Sequence, residues 1–110
     1  MFHHINLCFF AIVCVPEVLR MYPPAAFLTK VCTNPFKLES DGARDYVVQR
    51  GTAVIIPLSA IHHDAQHFPE PDRFDPERFN ADNKKHIRKG TYFPFGDGPR
   101  MCLGKDQIPM

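Results

Sequence analysis

Phe95-Gly96-Asp97-Gly98-Pro99-Arg100-Met101-Cys102-Leu103-Gly104, close to the end of the 110-residue chain, sets one cysteine among glycines. An arginine stands two positions before it and a phenylalanine seven before. Glycine lets a backbone come close to another group and take positive φ. Arginine pairs with a carboxylate in a planar fork. A cysteine thiolate is a soft, anionic iron ligand that must be kept deprotonated and shielded. Together these residues suit a loop that holds a thiolate against a flat, anionic, iron-bearing macrocycle.

Upstream of this loop, regular structure is predicted only in short pieces. Phe68 to Asn80 carries Pro69, Pro71 and Pro76 between Phe68, Phe74 and Phe79. That spacing opposes helix and sheet, while the aromatic rings favour burial, so an ordered meander is expected. Asp82 to Lys89 reads as a polar loop. Thr52 to Ile56 and Tyr46 to Gln49 read as two short strands around a tight Arg50-Gly51 turn, with Pro57 closing the second. Ala60 to His67 has room for one or two helical turns. Glu39 to Asp45, with Asp41-Gly42, is a turn signal. Phe27 to Leu38 reads as extended chain broken at Asn34-Pro35. Val15 to Tyr22 is expected to be a short helix with Pro16 in its first turn, Glu17 near its positive end and Arg20 near its negative end. Pro23-Pro24 stops it.

Composition bounds the rest. The chain is 45% hydrophobic and 23% charged, ordinary for a globular unit, and 110 residues allow one compact unit with a modest core. A net charge of +1 gives no overall attraction to nucleic acid or to an anionic membrane. The apolar run Ile5 to Val15 is too short to span a bilayer as a helix and lacks the basic flank and cleavage site of a signal peptide. Cys8, Cys14, Cys32 and Cys102 would permit a secreted two-disulfide domain with three connectivities, but their spacing lacks that character. Buried free thiols are the preferred reading of the first three. His63 and His67 stand four apart, a possible zinc spacing, yet no third ligand lies at a suitable separation, and a surface or capping role is expected. Lys84, Lys85, His86, Arg88 and Lys89 form a basic run, read first as a solvated loop face. Glu17 and Arg20, three apart, share one face of a helix.

Phe95, Gly98, Arg100, Cys102 and Gly104 fill every fixed position of F-x-x-G-x-R-x-C-x-G, and the loop therefore resembles the haem-binding signature of the cytochromes P-450. Glu17-Val18-Leu19-Arg20, with the Pro23-Pro24 exit, resembles the E-x-x-R helix of that family. Phe74-Asp75-Pro76-Glu77-Arg78-Phe79 is similar to its F-x-P-E-R-F segment. Gly51 to Ile56, His62-His63-Asp64 and Phe68-Pro69-Glu70-Pro71 follow its connecting pattern, in the family's order. The wording of the motifs looks closest to detoxifying insect-type members of microsomal type.

The resemblance implies a late, C-terminal-side portion of the mainly-α cytochrome P-450 fold. The covered part would be α+β: a short helix, small antiparallel strands, then an irregular meander and the cysteine loop. Its expected divisions are an unmatched apolar N-terminus at 1–14, a partial P-450 domain at 15–104 and a truncated tail at 105–110. Cys102 would be the axial ligand of haem iron, its electron donation favouring cleavage of the oxygen–oxygen bond on the opposite face. Phe95 would cover the sulfur, Arg100 would pair with a haem propionate, and Gly98 and Gly104 would give the turn and the close approach. Glu17, Arg20 and Arg78 would form a buried structural charge triad, with no catalytic residue in this chain.

The parent activity implied is insertion of one atom of dioxygen into a small organic substrate, with electrons from NADPH delivered by a reductase. Its expected place is the endoplasmic reticulum membrane, reached through an N-terminal anchor that these residues do not contain. The basic run would then help to dock an acidic electron donor. The rival reading is a non-catalytic truncated product or pseudogene remnant, acting at most as a reductase-binding decoy.

Overall fold

The computed structural model describes residues 2–39 and 45–104. Helix α1 spans Phe2–Met21, strand β1 Leu28–Val31, β2 Phe36–Leu38, β3 Tyr46–Val48, β4 Ala53–Ile56 and helix α2 Leu58–His62. Two single 3-10 turns follow, at Pro76–Phe79 and Lys84–His86. The expected turn around Asp41-Gly42, the tail from Lys105 onward and the side chain of Cys8 lie outside the described residues.

Helix α1 is much longer than the expected Val15 to Tyr22 segment, and Pro16 lies inside it instead of opening it. A proline there removes one backbone hydrogen bond, to the carbonyl of Ile12. Ile12 is exposed, so water can reach that turn, and helix on both sides outlasts the loss. Glu17 accordingly belongs to the late part of α1 and not to its first turn. Val13, Pro16, Glu17 and Arg20 are buried at helical spacing, forming one stripe that faces inward. The helix closes with the Tyr22 N–H on the Val18 carbonyl (2.7 Å), just before Pro23-Pro24.

The chain divides into two compact units, Phe27–Ile56 and the remainder, Met1–Ala26 with Pro57–Met110. In the first, the strands expected on either side of Arg50-Gly51 are present but do not pair with each other. Instead β1 pairs antiparallel with β4 (Leu28 opposite Ile56) and β2 with β3 (Phe36 opposite Val48). The turn itself is tight, with the Thr52 N–H on the Gln49 carbonyl (3.1 Å) and Gly51 at φ +85°. Its edge is taken by the chain after β1: Gly51 N–H donates to the Cys32 carbonyl and Cys32 N–H to the Thr52 carbonyl. That pairing draws β4 away from β3.

In the second unit, α1 packs against α2 and against the Pro76–Phe79 turn. Pro57 precedes α2, and the Ser59 N–H ties its start to the Ala26 carbonyl (2.9 Å). Leu58 and His62, one helical turn apart, are fully buried. The meander is irregular as expected, apart from the 3-10 turn that Pro76 opens and the Asp75 carboxylate caps at the Glu77 N–H. Phe68 and Phe79 are buried, but Phe74 is exposed, against expectation. At this point the next backbone N–H, that of Asp75, is the inward-facing group, bonded to Glu17.

Candidate functional site

Glu17 is completely buried, and so is Arg20. Three residues apart on α1, they form a bidentate pair: Nε to Oε2 at 2.7 Å and Nη2 to Oε1 at 2.9 Å. A buried charge pair persists only if its remaining donors and acceptors are satisfied. Arg20 also donates to the carbonyls of His62 (2.8 Å) and Pro71 (2.7 Å). Glu17 accepts the backbone N–H of Asp75 at 3.0 Å, and Arg78 Nε stands 3.5 Å from Oε1. Arg78 reaches the Glu70 carbonyl through Nη2 (3.0 Å). One carboxylate and two guanidinium groups therefore tie α1, the end of α2 and three points of the meander together.

The cysteine loop begins beside this network. Tyr92 O–H donates to the Pro16 carbonyl at 3.0 Å, and its ring stacks on His62 with centroids 5.4 Å apart. Burial, with the Glu17 carboxylate nearby, raises the Tyr92 phenol above its ordinary range, partly opposed by Arg20, which keeps it a hydrogen-bond donor. The Phe93 N–H donates to His62 Nε2 (3.3 Å). The loop then turns through Gly96 (φ +79°) and Gly98 (φ +89°), with Gly96 N–H on the Phe93 carbonyl and Gly98 N–H on the Asp97 carboxylate. It returns so that Cys102 N–H meets the Phe95 carbonyl at 3.0 Å.

Phe95 is half-buried, while Arg100, Met101 and Cys102 are exposed and Leu103 is 99% exposed. A Cβ at Gly98 would meet nothing within 4 Å, so its requirement is the left-handed backbone and not space. A Cβ at Gly104 would lie 3.8 Å from Cys102 Sγ, beside the thiol. Cys14 and Cys32 are free thiols, half-buried where full burial was expected. Cys32 Sγ meets the Asn34 carbonyl at 2.9 Å.

A cavity of about 470 Å³ opens between the basic run and the loop, lined by Phe79, Lys84, Arg88, Tyr92, Phe93 and Phe95 among others. The cations of that run are exposed. His63 turns its Nδ1 back onto the Ser59 carbonyl (2.9 Å), one helical turn away. Among the described residues no three metal-ligating side chains cluster, and no helix is long and apolar enough to cross a membrane.

Two participants were given no role by the motif reading. His62 is buried at the junction of α2, Arg20 and the loop. Burial lowers its pKa from 6.5 to about 4, while the backbone carbonyls of Arg20 and Leu19 favour the charged form and offset part of that fall. The signal for it was its position one helical turn after Leu58, on the same face. Gly96 is the second, one of two left-handed glycines in the loop, outside the fixed positions of the motif.

The family model for cytochrome P-450 matches residues 10–106. Over 90 residues the chain is 48% identical to cytochrome P-450 9e2 of Blattella germanica, covering 82% of this chain and 16% of that protein. It is 44% identical over 93 residues to probable cytochrome P-450 6t1 of Drosophila melanogaster, covering 82% and 18%. With cytochrome P-450 3A11 of Mus musculus the identity is 46% over 88 residues, covering 80% and 16%. The chain thus spans about a sixth of the length of these relatives. A match over nearly all of its residues, joined to a cysteine loop anchored on a buried glutamate–arginine pair, places this chain in the cytochrome P-450 family, as a portion of that family's domain.

Proposed function

We propose that this chain is the haem-thiolate portion of a monooxygenase that inserts one atom of dioxygen into a small organic substrate, with electrons drawn from NADPH through a reductase. By itself the chain would be inactive, and the whole activity would belong to a longer parent. The observation that carries this reading is the cysteine loop: an exposed thiol, its backbone N–H bonded to the Phe95 carbonyl, between an exposed arginine and a glycine that lies beside the sulfur. Those groups fit haem. Cys102 would ligate the iron as thiolate, Arg100 would pair with a propionate and Phe95 would shield the sulfur from water. Gly98 would supply the turn and Gly104 the open flank. When bound, haem supplies the one-electron and dioxygen chemistry that no side chain here offers.

The chain's own part is to hold and tune. The bond from the Cys102 N–H to the Phe95 carbonyl would hold the cysteine at the return of the loop. The triad of Glu17, Arg20 and Arg78 would serve structurally, fixing the meander. The exposed basic run would help an acidic electron donor to approach, since surface charge of opposite sign steers association. An endoplasmic reticulum location would follow for the parent.

Titration of the purified chain with haem tests the reading. A defined thiolate-type Soret band that disappears in Cys102→Ala is the expected result. Broad absorption unaffected by that substitution would instead leave a non-catalytic remnant. In a full-length parent, Cys102→Ala or Cys102→His should abolish the thiolate-type carbon monoxide spectrum, and an unchanged spectrum would sink the assignment.

A further inference from the structure

We propose that His62 is a positioning residue for the cysteine loop, acting through the backbone of Phe93. It uses its two ends differently. Its carbonyl accepts from Arg20 Nη1 (2.8 Å), which fixes the residue to the buried charge pair. Its ring Nε2 accepts the Phe93 N–H (3.3 Å), at the start of the loop. From there the bonding continues in two short steps: Gly96 N–H to the Phe93 carbonyl, and Cys102 N–H to the Phe95 carbonyl. The ring is clamped in orientation by stacking on Tyr92 at 25° and by the edge-on Phe93 at 78°.

Acceptance at Nε2 places the imidazole proton on Nδ1. That Nδ1 is buried near the backbone carbonyls of Arg20 and Leu19 but meets neither in hydrogen-bond geometry. An apolar side chain of similar size would fill the space without stranding a donor. The polar ring is retained at that cost because it provides the acceptor the loop needs. This inference rests on the proposed function only for the importance of the loop, since the bond itself exists without cofactor.

Amide hydrogen exchange on the full 110-residue chain tests it, comparing parent, His62→Gln and His62→Phe. Gln keeps an acceptor oxygen near the position of Nε2, and Phe keeps only the bulk. In His62→Phe, exchange at Phe93 and Cys102 should rise about tenfold or more, with the Asp75 amide, bonded to Glu17, little changed. His62→Gln should restore most of the protection, and site-resolved alkylation of Cys102 should follow the same order. Unchanged exchange at Phe93 in His62→Phe overturns the proposal. So does equal acceleration of Phe93, Cys102 and Asp75 in both variants, which would make His62 a packing residue only. If His62→Phe does not fold, His62→Gln decides: Phe93 protection kept supports the bond, and its loss with Asp75 still protected overturns it. Failure of the chain to bind haem while Phe93 stays protected would count against the proposed function and leave this inference standing.

Discussion

Glu17 occupies a position on the inward stripe of α1 where a leucine would be unremarkable, and it is satisfied from three directions: Arg20, Arg78 and the Asp75 backbone. Its neutral isostere keeps the shape but leaves the Arg20 guanidinium uncompensated at zero exposure. Glu17→Gln should therefore destabilise the unit by about 3–5 kcal/mol, read as a lower urea midpoint at constant slope. Glu17 and Arg20 were legible in the sequence because a three-residue spacing on a helix is a local fact. The Asp75 and Pro71 backbone groups that complete the network were not, since nothing local says which meander carbonyl turns inward. His62 was hidden beside His63 for the same reason, and only the Leu58 register separates them. Its pH behaviour is a second residue-scale expectation. The folded value, about 4, lies below the unfolded 6.5, so the unfolded chain takes up the proton first as pH falls. Stability from this group is complete above about pH 6.5, declines down to about pH 4 and is then flat, a loss of about 3 kcal/mol. The difference in unfolding free energy between parent and His62→Gln across that window measures it. A difference that does not change between pH 7 and pH 4 would remove the effect.

Among the elements, α1 shows how a proline rule can be right in physics and wrong in placement. Pro16 was expected to open a helix because a proline costs nothing there, whereas the helix runs through it. The missing N–H sits opposite the carbonyl of exposed Ile12, and the Pro16 carbonyl is occupied by Tyr92. Pro16→Ala should restore one helical hydrogen bond and keep the Tyr92 contact. The expected gain is about 1–3 kcal/mol, visible as a higher Tm and increased far-ultraviolet helicity. A lower Tm would mean that the proline ring itself packs on something the alanine cannot replace. The strands tell the converse story. Strands β3 and β4 were visible from their β-branched and aromatic residues and β1 and β2 only as extended chain, but the partner of each was not. A tight turn between β3 and β4 resembles a hairpin signal, but β1, before Asn34-Pro35, takes β4 and β2, after it, takes β3.

At the scale of the whole molecule, the motifs revealed the family because they sit at fixed spacings, but they carried no information about how firmly each region holds. The two compact units differ in what they bury. Val13, Leu58, Phe68 and Phe79 are buried in the unit of α1, α2 and the meander, together with Glu17, Arg20 and His62. In Phe27–Ile56, Val48 is the buried apolar side chain among the described residues, while Phe27, Val31, Phe36, Leu38, Tyr46 and Ile55 are exposed. Two-stranded ribbons without a covered apolar face are marginal in water. Their ladders should therefore open at low free energy, well before the charge network lets go. Gly51 and Cys32, whose amides bond across the ladder edge, report on the ribbon; Asp75 and Tyr22 report on the helix and meander. Hydrogen exchange in increasing urea should show Gly51 and Cys32 exchanging fast and nearly independently of denaturant, as local openings do. Asp75 and Tyr22 should be slower by at least about tenfold and should converge on the global unfolding line as urea rises. Should all four amides share one opening free energy and one urea slope, the chain would unfold as a single cooperative body, and the ribbon would owe its stability to contacts other than its own buried side chains.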